Sequence, residues 1–284
     1  MKKLLNIGVI GLGIMFSFWA CGLSDVNSFL FDADKERELG KEFDEALRDS
    51  INHQFLPENH EFSIYATKLK DSIVSKINDK TWDDVLPSNV GKAKFFSVSV
   101  IDTNIANAFA VPGGYFYLYT GILETMKDES ELVAVMGHEI GHVLAHHSRD
   151  RIISATATSA ALNVFLGEGG AGELIGSLGA GYFLTQNGQD DELEADAYGV
   201  QFAKDVGVKP TGISTYFGNG IVDAETGKCD EGGILEGVLD VFSTHPPNCE
   251  RVKEANKIVS TFTNAEQAYP SNKIRYDRKV ATLN

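Results

Sequence analysis

The chain has 284 residues, 43% hydrophobic and 23% charged, a balance that suits a globular protein and excludes a disordered one. A formal net charge of −15 argues against nucleic acid as a partner, because phosphate binding needs clustered lysine and arginine. The length allows one large domain or two average ones.

Lys2 and Lys3 precede an uncharged run from Leu4 to Ala20, which ends at Cys21. A basic head, an apolar stretch and a small residue before the cut are the marks of a secretory signal. A cysteine placed directly after them resembles a bacterial lipoprotein cleavage site, where the thiol is lipidated. Phe18 and Trp19 depart from the usual box, so plain cleavage and an uncleaved anchor stay open beside the favoured lipoprotein reading. Export would put Cys229 and Cys249 in an oxidising compartment, either as a disulfide or as two separate buried thiols. Neither lies in a C-x-x-C pair, which argues against a cysteine zinc site. The expected organisation is a signal over 1–20, a tether over 21–31, one folded domain over 32–263 and a polar tail over 264–284.

Residues 33–50 read as a charged amphipathic helix with Leu39, Phe43 and Leu47 on one stripe. A second helix over 61–78 places Ile64, Leu69, Ile73 and Ile77 together, and Pro87-Ser88-Asn89 breaks the pattern. Phe95–Ile101 and Tyr115–Tyr119 read as strands, and the turn signal Pro112-Gly113-Gly114 predicts that they pair antiparallel. Asp128 with Glu131 predicts a capping box that opens a helix through Leu144. Residues 152–187 carry only Glu168 and Glu173 as charges and predict two buried helices joined by a glycine-rich loop, not a membrane span. A helix from Gln189 to Asp205 ends near Gly207 and Pro210, glycine-rich loops and short helices follow, and 249–263 is helical again. The class is α+β, mainly helical, with a small sheet.

The chemistry centres on His138-Glu139-Ile140-Gly141-His142. On a helix, positions i and i+4 share one face, so both imidazoles can reach one ion. Glu139 is rotated from that line and can sit beside a zinc-bound water as general base. Two histidines leave a catalytic zinc one protein ligand short. The acidic stretch from Asp190 to Asp196 should supply it. Glu192 and Asp196 lie four residues apart, which suits Glu192 as ligand and Asp196 as the acceptor that orients a ligand imidazole. Glu194 is the rival ligand. His146 and His147 read as structural, and His53 and His60 have no role.

The sequence resembles the HtpX-like and CAAX-prenyl-protease-like family of zinc metallopeptidases, particularly its periplasmic lipoprotein branch. The resemblance rests on several pieces in order: Glu38-Leu39-Gly40, Asn107-Ala108-Phe109 with Pro112-Gly113-Gly114, the GHEIGHVLAHH helix, the ELEAD helix, and Thr244-His245-Pro246-Pro247 with Arg251. It covers roughly 32–263 and departs from the family at Thr185-Gln186-Asn187-Gly188, where Ser-Arg is common. It implies a zincin-type domain binding one Zn2+ through His138, His142 and Glu192, with Glu139 activating water. It also implies that Tyr115, Phe116 and Tyr117, with Asn107, form an edge strand along which an extended peptide lies. His245 would stabilise the oxyanion or fill the open metal position, and Arg251 would buttress that segment or an acidic partner. The Cys229–Cys249 pair, if joined, would tether the His245 segment. The implied protein is a periplasm-facing, membrane-anchored endopeptidase acting on unfolded or misassembled envelope proteins. The alternative is a largely latent zinc protein serving as chaperone or assembly factor.

Overall fold

The computed structural model describes residues 32–49, 54–88, 90–156, 188–219, 221–222, 228–229, 245 and 248–283. Cys21, the tether and most of the expected helix pair over 152–187 lie outside the described residues. Among the described residues, no helix is long and apolar enough to cross a membrane.

Helix α1 (Ala33–Asp49) buries Leu39, Phe43 and Leu47, the stripe its periodicity predicts. In α2 (Glu61–Val74) the buried face is Phe62, Tyr65, Ala66, Leu69 and Ile73, while Ile64 is 42% exposed. Leu69 and Ile73 of the expected stripe are buried, Ile77 is half-buried, and only Ile64 falls on the exposed side. Short helices α3 (Asp79–Val85) and α4 (Lys92–Phe95) lead into the sheet, so Phe95 ends a helix and does not begin a strand.

The sheet has strands β1 (Ser97–Ile101), β2 (Ala108–Val111) and β3 (Tyr115–Tyr119) in the order β1-β3-β2. Here two expectations fail. β1 pairs parallel with β3, and the antiparallel partner across the Pro112–Gly114 turn is β2. Tyr115–Tyr119 is consequently the central strand, not an edge. An uninterrupted run of large apolar and aromatic side chains suits a strand covered on both faces, and Phe116, Tyr117 and Leu118 are all at most 1% exposed. Tyr119 N–H donates to Asn107 O, and antiparallel pairs alternate between bonded and unbonded. The main chain of Ala108 and Ala110 therefore faces away from β3, and β2 is the edge beside the motif helix.

After α5 (Thr120–Leu123), the motif helix α6 (Glu129–Leu144) is buried over its whole length. Asp128 accepts from Ser130 and Glu131 N–H, as predicted, but the Glu131 carboxylate reaches back to Lys127 N–H instead of Asp128. Helix α7 (His147–Thr156) follows, then α8 (Gln189–Asp205), α9 (Gly212–Phe217) and α10 (Cys249–Val259). The expected polar tail folds back as α11 (Asn264–Gln267) and α12 (Lys273–Val280). Tyr276 is buried there, with its hydroxyl donating to Leu123 O at 2.6 Å. Buried Glu129, the first residue of α6, receives Tyr65 Oη at 2.6 Å, Asn272 Nδ2 at 2.8 Å and an ion pair from Arg275. The C-terminal segment thus pins the start of the motif helix.

Helices α6 and α8 approach closely because glycines line their contact. A Cβ on Gly199 would lie 2.6 Å from Ala134 O, and one on Gly141 would lie 2.8 Å from Tyr198 Cβ. Gly199→Ala is expected to push α8 off α6 and destabilise the fold by about 1–3 kcal/mol, the usual range for overpacking. Thermal melting followed by circular dichroism checks this; an unchanged melting temperature would show that the contact has slack.

Candidate metal centre

Helix α6 presents His138, Glu139 and His142 at its C-terminal end, each at most 3% exposed. From α8, Glu192 and Asp196 enter the same space, each 2% exposed, on the face that also carries Ala195 and Gly199. His245 comes from the segment before α10, whose start Asn248 caps by accepting Arg251 N–H at 2.9 Å.

The donor atoms converge. His138 Nε2 and His142 Nε2 are 3.0 Å apart; Glu192 Oε2 lies 3.5 Å from the first and Glu192 Oε1 lies 3.3 Å from the second. Atoms about 2.0–2.1 Å from a tetrahedral zinc are about 3.3–3.4 Å from one another, so these separations fit the ion. Without an ion one of these nitrogens would carry a proton and donate to the other; with both lone pairs turned inward, a shared cation fits the same separation. His245 Nδ1 lies 3.2 Å from His138 Nε2 and 2.8 Å from Glu192, and donors of all four residues fall within 4.8 Å of one another. His245 Nε2 is 3.1 Å from Glu139 Oε1.

Around these groups stands a second set. Asp196 Oδ1 lies 2.9 Å from His138 Nδ1, leaving Nε2 of that ring to the centre. Arg251, fully buried, donates to both Asp196 oxygens at 2.7 and 2.6 Å and to His245 O at 3.2 Å. Its Nη1 also lies 3.0 Å from Glu192, and its guanidinium stacks 3.7 Å over the Phe217 ring. Arg251 therefore fills both roles left open for it. His142 Nδ1 meets His147 Nδ1 at 2.8 Å.

The electrostatics agree with a cation site. Burial pushes the His142 imidazole down to about 3, which keeps it in the neutral form that binds metals. Burial would raise Glu192, but His245, His142 and His138 outweigh it and hold its carboxyl far below the usual range. Burial likewise opposes ionisation of Asp196, and Arg251 and His138 overcome it.

Other predicted residues lie elsewhere. Glu194 is 59% exposed in its side chain and points to His147, which removes it as the rival ligand. Tyr115 lies under the Arg37 guanidinium at 4.1 Å and Tyr117 donates to Asp44 at 2.9 Å, so α1 covers both. Phe116 is in the core. Asn107 accepts Ala108 N–H at 2.9 Å, directly ahead of the true edge strand. Cys229 and Cys249 are joined as a disulfide with Cα atoms 5.6 Å apart, and Cys249 opens α10 just past His245. The contact of His147 with His142 was missed in the sequence. The signal was a second histidine directly after the helix end.

A buried helix carrying two histidines and a glutamate, crossed by a second helix bearing an acidic ligand, defines the zincin class of metallopeptidase folds. The chain belongs to Peptidase family M48, a family of zinc-dependent metallopeptidases, whose pattern matches residues 75–259. It is 32% identical over 152 residues to Metalloprotease LoiP of Escherichia coli, covering 52% of this chain and 56% of that protein. It is 30% identical over 156 residues to Metalloprotease YcaL of the same organism, covering 53% and 57%. It is 27% identical over 229 residues to Mitochondrial metalloendopeptidase OMA1 of Schizosaccharomyces pombe, covering 78% and 60%. The chain thus spans a little over half the length of these relatives.

Arg251→Met keeps volume but leaves Asp196 and Glu192 buried without their cationic partner. It is expected to destabilise the metal-free protein by about 3–5 kcal/mol. Arg251→Lys should recover only part of this, since a point charge cannot span both Asp196 oxygens. Urea titration of the three proteins measures both effects.

Proposed function

We propose that the protein is a zinc endopeptidase that cuts extended or unfolded polypeptides. The single observation carrying this reading is Glu139, buried beside the converging donors of His138, His142 and Glu192. Those three residues would hold the ion, which when bound supplies Lewis-acid chemistry to a peptide carbonyl. Glu139 takes a proton from the attacking water and delivers it to the leaving amine. Its carboxyl sits low for a buried acid: burial would raise it, but His245 and the two motif histidines outweigh burial, so it starts as the base. Asp196 holds His138 in the tautomer that points Nε2 inward. His245, 3.1 Å from Glu139, is placed to donate to the oxyanion as the carbonyl is attacked.

The substrate would lie along β2, whose Ala108 and Ala110 main chain faces away from the sheet. Main-chain pairing recognises extended backbone with little demand on side chains, which supports unfolded chains as the substrate class. We place the protein on the periplasmic side of a bacterial membrane, anchored through lipidated Cys21, with misassembled envelope proteins as substrates; the leader-like residues 1–21 support this.

A second reading has its own observation. His245 brings a fourth donor to the cluster, and a site closed by four protein ligands leaves no place for water. The protein would then be largely latent and serve as a chaperone or assembly factor.

One experiment separates these. Protein beginning after Cys21 is compared with Glu139→Gln and His245→Ala for bound zinc and for cleavage of casein. The endopeptidase reading expects about one zinc in all three, cleavage abolished by Glu139→Gln and reduced roughly 100-fold by His245→Ala, as for loss of an oxyanion donor. Cleavage that rises in His245→Ala supports the latent reading. Zinc in none sinks both.

A further inference from the structure

We infer that His147 is a positioning residue for the metal centre, holding His142 in the one tautomer that can bind zinc, with its own outer nitrogen facing two carboxylates of α8. This rests on the metal reading above.

The placement begins in the backbone. Helix α6 ends at Leu144, and His146 takes a left-handed conformation with φ 58°, a region side chains rarely adopt. The His146 ring is anchored to buried Glu36 of α1, with Nδ1 2.9 Å from Oε1, and Glu36 also meets Arg149 at 3.3 Å. This reversal begins α7 at His147 and turns its ring back beneath His142. A straight continuation of α6 would have carried position 147 off the face that holds the histidines.

The hydrogen-bond chemistry then allows one arrangement. His142 Nε2 faces His138 Nε2 and Glu192, so it must offer a lone pair to the ion and its proton must sit on Nδ1. That Nδ1 lies 2.8 Å from Nδ1 of His147, where two protons cannot both fit. His147 therefore accepts at Nδ1 and carries its proton on Nε2. Nε2 in turn faces Glu194 Oε2 at 3.5 Å and Asp191 Oδ1 at 3.7 Å. Those carboxylates favour the proton on that nitrogen and give Asp191 and Glu194 a use that ligation does not. The result mirrors Asp196 on His138: each ligand imidazole has its outer nitrogen satisfied, one by a carboxylate and one by a histidine backed by carboxylates.

The test uses the full mature chain and two readouts other than turnover. Nitrogen-15 histidine spectra of the zinc-loaded wild type should show His142 protonated at Nδ1 and His147 unprotonated there. A proton on His147 Nδ1 would overturn the proposal without any variant having to fold. Zinc affinity is then measured by competition with a chromophoric chelator for wild type, His147→Asn and His147→Phe. Asn keeps an acceptor near the Nδ1 position, whereas Phe keeps a ring without one. Affinity should fall about 10–100-fold in His147→Phe and stay near wild type in His147→Asn. Equal losses in both variants, or none in His147→Phe, would overturn the acceptor role. A wild type that takes up no zinc would remove the metal reading itself, a result distinct from any of these.

Discussion

Three carboxylates, Glu139, Glu192 and Asp196, share one interior with almost no exposure to solvent. Anions buried at such spacing need positive charge close by, because isolated burial of each costs several kcal/mol. Arg251 supplies one charge by forking across Asp196 and touching Glu192. The pair of carboxylates around His245 supplies the pull for a second, raising that imidazole to about 10 against the burial that would lower it. Even so, the two cations leave one negative charge, and the three imidazoles that turn nitrogens inward are poor substitutes for an ion. A dication between His138, His142 and Glu192, with His245 giving up its proton, balances the three carboxylates and Arg251. The electrostatics of the packing thus favour a metal there, in agreement with the spacing.

The same requirement explains why the surrounding helices are built from small residues at their contact. For a carboxylate on α8 to stand about 3.3 Å from imidazoles on α6, the helices must pack nearly backbone to backbone, which Gly199 and Gly141 permit. The residues that follow the motif serve the same end, since the left-handed turn at His146 brings α7 back under the centre. Glu36 ties that turn to α1, and Glu129 ties the other end of α6 to α12. A helix fixed at both ends can hold imidazoles to within tenths of an ångström in a way that a loop cannot.

How much of this was legible in the sequence differs by element. His138, Glu139 and His142 were readable because the helical period turns their spacing directly into a shared face. Asp196 and Glu192 were readable as a pair, but Glu192 against Glu194 depended on which side of α8 is buried. The small residues Ala195, Gly199 and Ala203 mark that side, and they align with Glu192 and not with Glu194. The sheet was less legible. β2 is four residues long, too short to separate from a turn, and without it the strands on either side looked like a hairpin. Nothing local distinguishes a parallel neighbour from an antiparallel one; the continuous run of large apolar and aromatic residues over Tyr115–Tyr119 did carry the sign of a central strand. The C-terminal residues looked like a tail because their few apolar groups carry the whole contact: Tyr276 enters the core while charged neighbours stay outside.

The donors come from chain segments far apart, with His142 and Glu192 separated by fifty residues and His245 lying fifty-three beyond Glu192. Closing such loops costs conformational entropy that grows only slowly with length, so a bound ion that links them stabilises the fold as a whole. The Cys229–Cys249 disulfide acts on the last of these closures, fixing the start of α10 four residues past His245. Arg251, two residues further on, then docks on Asp196 and on the His245 carbonyl. The segment is held by a covalent bond, a helix cap and a buried guanidinium. Its histidine therefore enters the centre already oriented, whether its task is to assist the reaction or to restrain it.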